Sequence, residues 1–121
     1  PVAMCAALLH DAIEETNVDF DDLVAEFGLE VAQSVAALSK DARLPETDRE
    51  LAYDEQLRLG PWQARAVRLA DTYDNIQDSL DHLMRRKAVA KARRALALVA
   101  DDTYLAAAAA ALLYLVQQHE V

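Results

Sequence analysis

Residues that turn the backbone are so scarce in this chain that they nearly dictate its fold class. Gly occurs twice and Pro three times in 121 residues, and beyond Pro1 they fall at three places only, Gly28, Pro45 and the adjacent pair Gly60-Pro61. Ala, Leu, Glu, Asp and Arg dominate the rest, a composition of helices joined by few turns. An all-α fold with almost no β-strand is expected. At this length the chain is one domain, large enough to bury a single core without disulfide or metal staples.

Periodicity divides the chain at those points. Residues 3–15 read as a helix that is apolar all round in its first half and acidic in its second. Asn17 and Asp19 punctuate, with Asp19 as N-cap of a short helix over 20–27, which Gly28 closes as a left-handed C′ residue. A helix from 29 to about 39 follows, with Val31, Val35 and Leu38 as its buried stripe. Pro45 marks a loop over 40–47, and a helix restarts from about 46 to 59. Gly60-Pro61 stops it. Three more helices are expected, over 62 to about 82, 85–100 and 103 to about 119. The chain enters a helical apolar pattern directly at Pro1, so further residues are expected before it.

The formal charge is −9, which argues against a nucleic-acid polymer as partner, because phosphate contacts need clustered Lys and Arg. An anionic nucleotide is still admitted where a metal supplies local positive charge. Cys5, the single cysteine, sits in an apolar run and reads as a buried, inert thiol. That opening run lacks a basic flank and is too short to span a bilayer, so no membrane partner is expected and the default compartment is the cytoplasm. The Ala-rich run over 104–116 reads as a core helix, with homo-oligomerisation through this C-terminal helix as the alternative. The basic cluster RRKAVAKARR over 85–94 holds six of the twelve cationic side chains. It is either a solvated helix face or a rim that attracts phosphates.

Two constellations can carry chemistry. On the first helix His10, Asp11, Glu14 and Glu15 crowd one end, and three carboxylates beside an imidazole are costly unless a cation neutralises them. The pattern fits a metal site, or else a histidine at a helix end beside a solvated acidic face. The second lies in VRLADTYDN (67–75), where an apolar turn is interrupted by Asp71, with Asp74 and Asn75 one turn on and Asp78 and His82 continuing the stripe. Any exposed helix face has such a stripe. Along one helix His82 lies about 16 Å from Asp71, too far to share a metal whose bonds are roughly 2 Å.

Together the segments AALLHDAIEETNVDFDDLVAEFGLEVAQSVAALS and VRLADTYDN, with the Leu44-Pro45 loop between them, resemble the HD-domain hydrolases of the RelA/SpoT type, including the small stand-alone ppGpp hydrolases. The resemblance covers about residues 6–75. It implies an HD-type helical bundle, here an HD domain over 1–121 lacking its N-terminal helix or helices. It also implies that His10, Asp11 and Asp71 are metal ligands, that Glu14 and Glu15 are catalytic, and that Asn75 contacts the nucleotide. The implied cofactor is a divalent metal, Mn²⁺, and the implied reaction is attack of water on the 3′-pyrophosphate of a (p)ppGpp-type nucleotide. Four positions depart from the family's pattern. Its first metal-binding histidine belongs upstream of Pro1, Glu15 replaces an aspartate, Thr72 stands where a basic residue is frequent, and Glu46 stands where the small hydrolases have lysine. Two other readings follow from these departures: a degenerate HD module for binding or dimerisation, and an HD hydrolase of ordinary nucleoside phosphates.

Overall fold

The structure, a computed structural model, describes residues 20–40 and 43–119. Among these residues the chain forms six α-helices and no strand. They are α1 (Phe20–Phe27), α2 (Leu29–Ala37), α3 (Glu46–Leu59), α4 (Trp62–Asp78), α5 (His82–Leu98) and α6 (Ala106–Gln118), with a 3₁₀ turn over Thr103–Leu105. The helix expected over 3–15, its residue Cys5 and the Asp19 cap lie outside the described residues. No helix among the described residues is long and apolar enough to cross a membrane. The chain divides into two compact units, Pro1–Val67 and Arg68–Val121, and the boundary falls inside α4.

In the first unit, Gly28 joins α1 to α2 without a spacer. Its N–H donates to the Val24 carbonyl at 3.0 Å, closing α1, and its own carbonyl accepts from Ala32 N at 3.1 Å, opening α2. Its φ is 91° and its ψ 165°. The positive φ agrees with the sequence, but the extended ψ corrects the expected left-handed helical form. A residue that ends one helix and starts the next must extend the chain between them, and this region is essentially restricted to glycine. The stripe Val31, Val35, Leu38 is buried as its spacing requires. Helix α2 ends at Ala37, just short of Ser39, whose hydroxyl donates to the Val35 carbonyl at 3.0 Å.

Helix α3 packs on α2, with Tyr53 and Leu57 buried. Three polar links fix its position. Lys40 Nζ lies 2.9 Å from Glu50 and 4.9 Å from the centre of the Tyr53 ring, and the Gln56 amide donates to the Ser39 carbonyl at 2.8 Å. At the end of α3, Arg65 Nη1 donates to the Leu57 and Gly60 carbonyls at 2.9 and 2.8 Å, satisfying acceptors that a helix terminus leaves open. Gly60 is required by space. A Cβ there would lie 2.9 Å from the Ala37 Cβ and 2.9 Å from the Gln56 carbonyl oxygen.

The second unit departs from expectation in one connection. Helix α4 stops at Asp78 and α5 starts at His82, where the sequence suggests a helix to about 82 and the next from 85. Two short polar side chains make the break. The Ser79 hydroxyl donates to the Ile76 carbonyl at 2.6 Å, and the Asp81 carboxylate accepts from Met84 N at 2.8 Å as the N-cap of α5. His82 therefore opens a new helix instead of continuing the α4 stripe, and a straight-helix rise no longer measures its distance from Asp71. Helix α5 buries Ala88, Ala92 and Ala95 at i, i+4 and i+7 and packs on α6. The alanines of α6 are mostly exposed, which corrects the reading of that run as core. Burial falls on the larger residues Leu105, Leu112, Leu115 and Val116, where each side chain removes more apolar area from water.

Candidate active site

Helix α4 sorts its side chains into two neighbouring stripes. Leu69, Thr72 and Ile76 are buried, and Asp71, Asn75 and Asp78, at i, i+4 and i+7, form the adjacent polar stripe. Asp71 is half-buried at its edge, while Asn75 and Asp78 are exposed. Asp71 engages in an interaction of its own. Thr72 is fully buried, and its hydroxyl donates to the Leu69 carbonyl at 3.0 Å. That position faces the core, so the Thr72 hydroxyl is engaged by the helix backbone and not offered to an anion. Glu46 is an exposed residue at the start of α3, where a carboxylate complements the helix dipole.

Of the residues singled out by sequence, the structure brings Asp71 and Asn75 together on one face of α4, a helical turn apart. His10, Asp11, Glu14 and Glu15 lie outside the described residues. Among the described residues no group of three or more His, Cys, Asp and Glu side chains could hold a metal ion. The donor set read from sequence, one imidazole and two carboxylates, is chemically suited to a hard or borderline divalent ion.

Sequence reasoning leaves the basic cluster without a partner, and the structure supplies one. Asn75, Asp78 and Ser79, from the end of α4, share a cavity of about 320 Å³ with Met84, Lys87 and Lys91 of α5. Arg86 and Arg93 are exposed, and Arg93 lines a separate groove between α5 and α6. The arrangement depends on the break over 79–81, after which Asp81 caps α5.

The helical frame and parts of the sequence have counterparts among known proteins. No family model matches the chain. The fold matches the solved structure of a metazoan ortholog of SpoT, described as hydrolysing ppGpp and playing a role in starvation responses. That match has a TM-score of 0.78 and 24% identity, and covers 98% of this chain and 70% of the other. In sequence the chain is 40% identical over 73 residues to guanosine-3′,5′-bis(diphosphate) 3′-pyrophosphohydrolase MESH1 of Danio rerio, covering 60% of this chain and 41% of that protein. It is 35% identical over 77 residues to the Homo sapiens protein of the same name, covering 64% and 43%. With a Vibrio cholerae guanosine-3′,5′-bis(diphosphate) 3′-pyrophosphohydrolase it shares 47% identity over 53 residues, covering 44% and 8%. The chain is thus similar, over about 60% of its length, to proteins named for hydrolysis of the 3′-pyrophosphate of ppGpp, the resemblance that its two motifs suggest. It spans less than half the length of these curated relatives.

Proposed function

We propose that the protein is a metal-dependent phosphohydrolase that removes pyrophosphate from the 3′ position of a (p)ppGpp-type nucleotide. The observation that carries the reading is 40% identity over 73 residues to a protein named for that reaction, a segment long enough to hold both motifs. Residues 1–121 belong in this reading to a single HD domain.

His10, Asp11 and Asp71 would hold the divalent ion, and Mn²⁺ suits a donor set of one imidazole nitrogen and carboxylate oxygens. When bound, such an ion lowers the pKa of coordinated water and withdraws charge from phosphoryl oxygens. Glu14 and Glu15, three to five positions beyond the pair in sequence, accept the proton that the attacking water loses. Asn75, a turn beyond Asp71 and exposed on the same face of α4, offers an amide donor and acceptor to the nucleotide. Departure of pyrophosphate leaves the 3′-hydroxyl of the nucleoside 5′-phosphate.

The test uses full-length protein with its natural N-terminus. Loaded with Mn²⁺, it is expected to release pyrophosphate from ppGpp in preference to GTP or ATP, and Asp71→Ala is expected to lower kcat at least about 10³-fold, as loss of a catalytic group typically does. Release from GTP and ATP but not ppGpp would replace the substrate with ordinary nucleoside phosphates. Activity that survives Asp71→Ala unchanged would remove the hydrolase assignment.

A further inference from the structure

The basic cluster over 85–94 has no role in the reading above, yet two of its six cations are set apart by position. Lys87 and Lys91 line the cavity that also takes in Asn75. They stand one turn apart on the same face of α5, a rise of about 6 Å. Lys91 is half-buried and Lys87 exposed. Among the described residues neither ammonium group is ion-paired, and Asp78, on the rim of the same cavity, forms a salt bridge with neither. Two like charges lining one concavity and one helical turn apart repel each other, and an anion placed between them removes that cost.

We propose that Lys87 and Lys91 form a phosphate subsite, with Asn75 at its edge, that holds the non-reacting 5′-phosphates of a nucleotide. The proposal rests on the reading of Asp71 and Asn75 as substrate-side residues, which puts the reacting 3′ group at the Asp71 end of α4. The cavity is lined from α4 by Asn75 and Asp78 and by the adjacent Ser79, and not by Asp71, so the anion it receives is the one remote from the reaction. At about 320 Å³ it lies at the lower limit for small-molecule sites, with room for a diphosphate group. Lysines supply mobile point charges without a fixed fork, which suits a flexible 5′-diphosphate chain that needs no strict orientation. Their place in a protein of net charge −9 makes a local positive patch the natural landing point for an anion that the rest of the surface repels.

The test separates binding from turnover. Full-length wild-type protein, Lys87→Gln/Lys91→Gln, Lys87→Arg/Lys91→Arg and the control Arg86→Gln are titrated with GDP, which carries a 5′-diphosphate and no 3′-pyrophosphate. The Gln pair is expected to weaken GDP binding about tenfold or more, from the loss of charge-assisted contacts, while the Arg pair and Arg86→Gln stay within about twofold of wild type. In kinetics the Gln pair raises KM for ppGpp by a similar factor with kcat held, and leaves guanosine 3′-diphosphate, which has a 5′-hydroxyl, unaffected. Equal GDP affinity in wild type and the Gln pair overturns the proposal, as does an equal loss in Arg86→Gln or no GDP binding at all. If the wild type fails to hydrolyse ppGpp but the Gln pair still loses GDP affinity, the hydrolase reading falls and the phosphate subsite stands.

Discussion

Gly28 and Gly60 are irreplaceable for opposite reasons. At Gly28 a Cβ meets no atom within 4 Å, but φ is +91°, so Gly28→Ala strains the backbone without a clash and is expected to cost about 1–3 kcal/mol. At Gly60 the backbone is ordinary extended chain, and the Cβ would press on Ala37 and the Gln56 carbonyl at 2.9 Å each. Gly60→Ala is expected to cost about 1–3 kcal/mol by overpacking. Adding Ala37→Gly relieves the first contact and not the second, so it recovers part of the loss at Gly60 and none at Gly28. Denaturant unfolding of the four proteins measures this coupling. Recovery at Gly28 equal to that at Gly60 would show that space is not the distinction.

At the scale of elements, the connection between α4 and α5 is the one that matters for the site, and a single carboxylate defines it. Asp81→Ala removes the acceptor for Met84 N and is expected to lower stability by about 1 kcal/mol, with Asp81→Asn keeping most of it. Thermal unfolding checks the order; an Ala variant as stable as wild type would show that the cap is not what starts α5. The same connection explains what sequence could and could not reveal. Bounds at Phe27, Glu46, Leu59 and Trp62 are legible because Gly28, Pro45 and Gly60-Pro61 stand beside them. The break after Asp78 is not, because Ser79, Leu80 and Asp81 include neither glycine nor proline, and Asp81 merges with the acidic stripe of Asp71, Asp74 and Asp78. Asp71 and Asn75 are readable as a pair since four residues span one helical turn. That Lys87 and Lys91 share a cavity with Asn75 depends on the turn, and so becomes visible only with the fold.

For the whole molecule the governing quantity is charge. Fourteen of the 21 acidic side chains lie in residues 1–60, against four of the 12 basic ones, so that half repels itself at neutral pH. A divalent ion held by His10, Asp11 and Asp71, as proposed, would bind the folded chain and not the unfolded one. By linkage it would stabilise the fold by about 2.7 kcal/mol at a concentration a hundred times Kd. General screening by salt also relieves self-repulsion, so the two effects have to be separated. Mn²⁺ is expected to raise the Tm of the full-length wild-type protein well beyond NaCl at equal ionic strength, with saturation at a stoichiometric site. Asp71→Ala removes the proposed ligand while lowering the negative charge. If the Mn²⁺ effect is site binding, the variant loses the saturable shift and keeps the salt response. If it is only charge relief across an acidic surface, wild type and variant shift alike, and Asp71 then has no part in holding a metal.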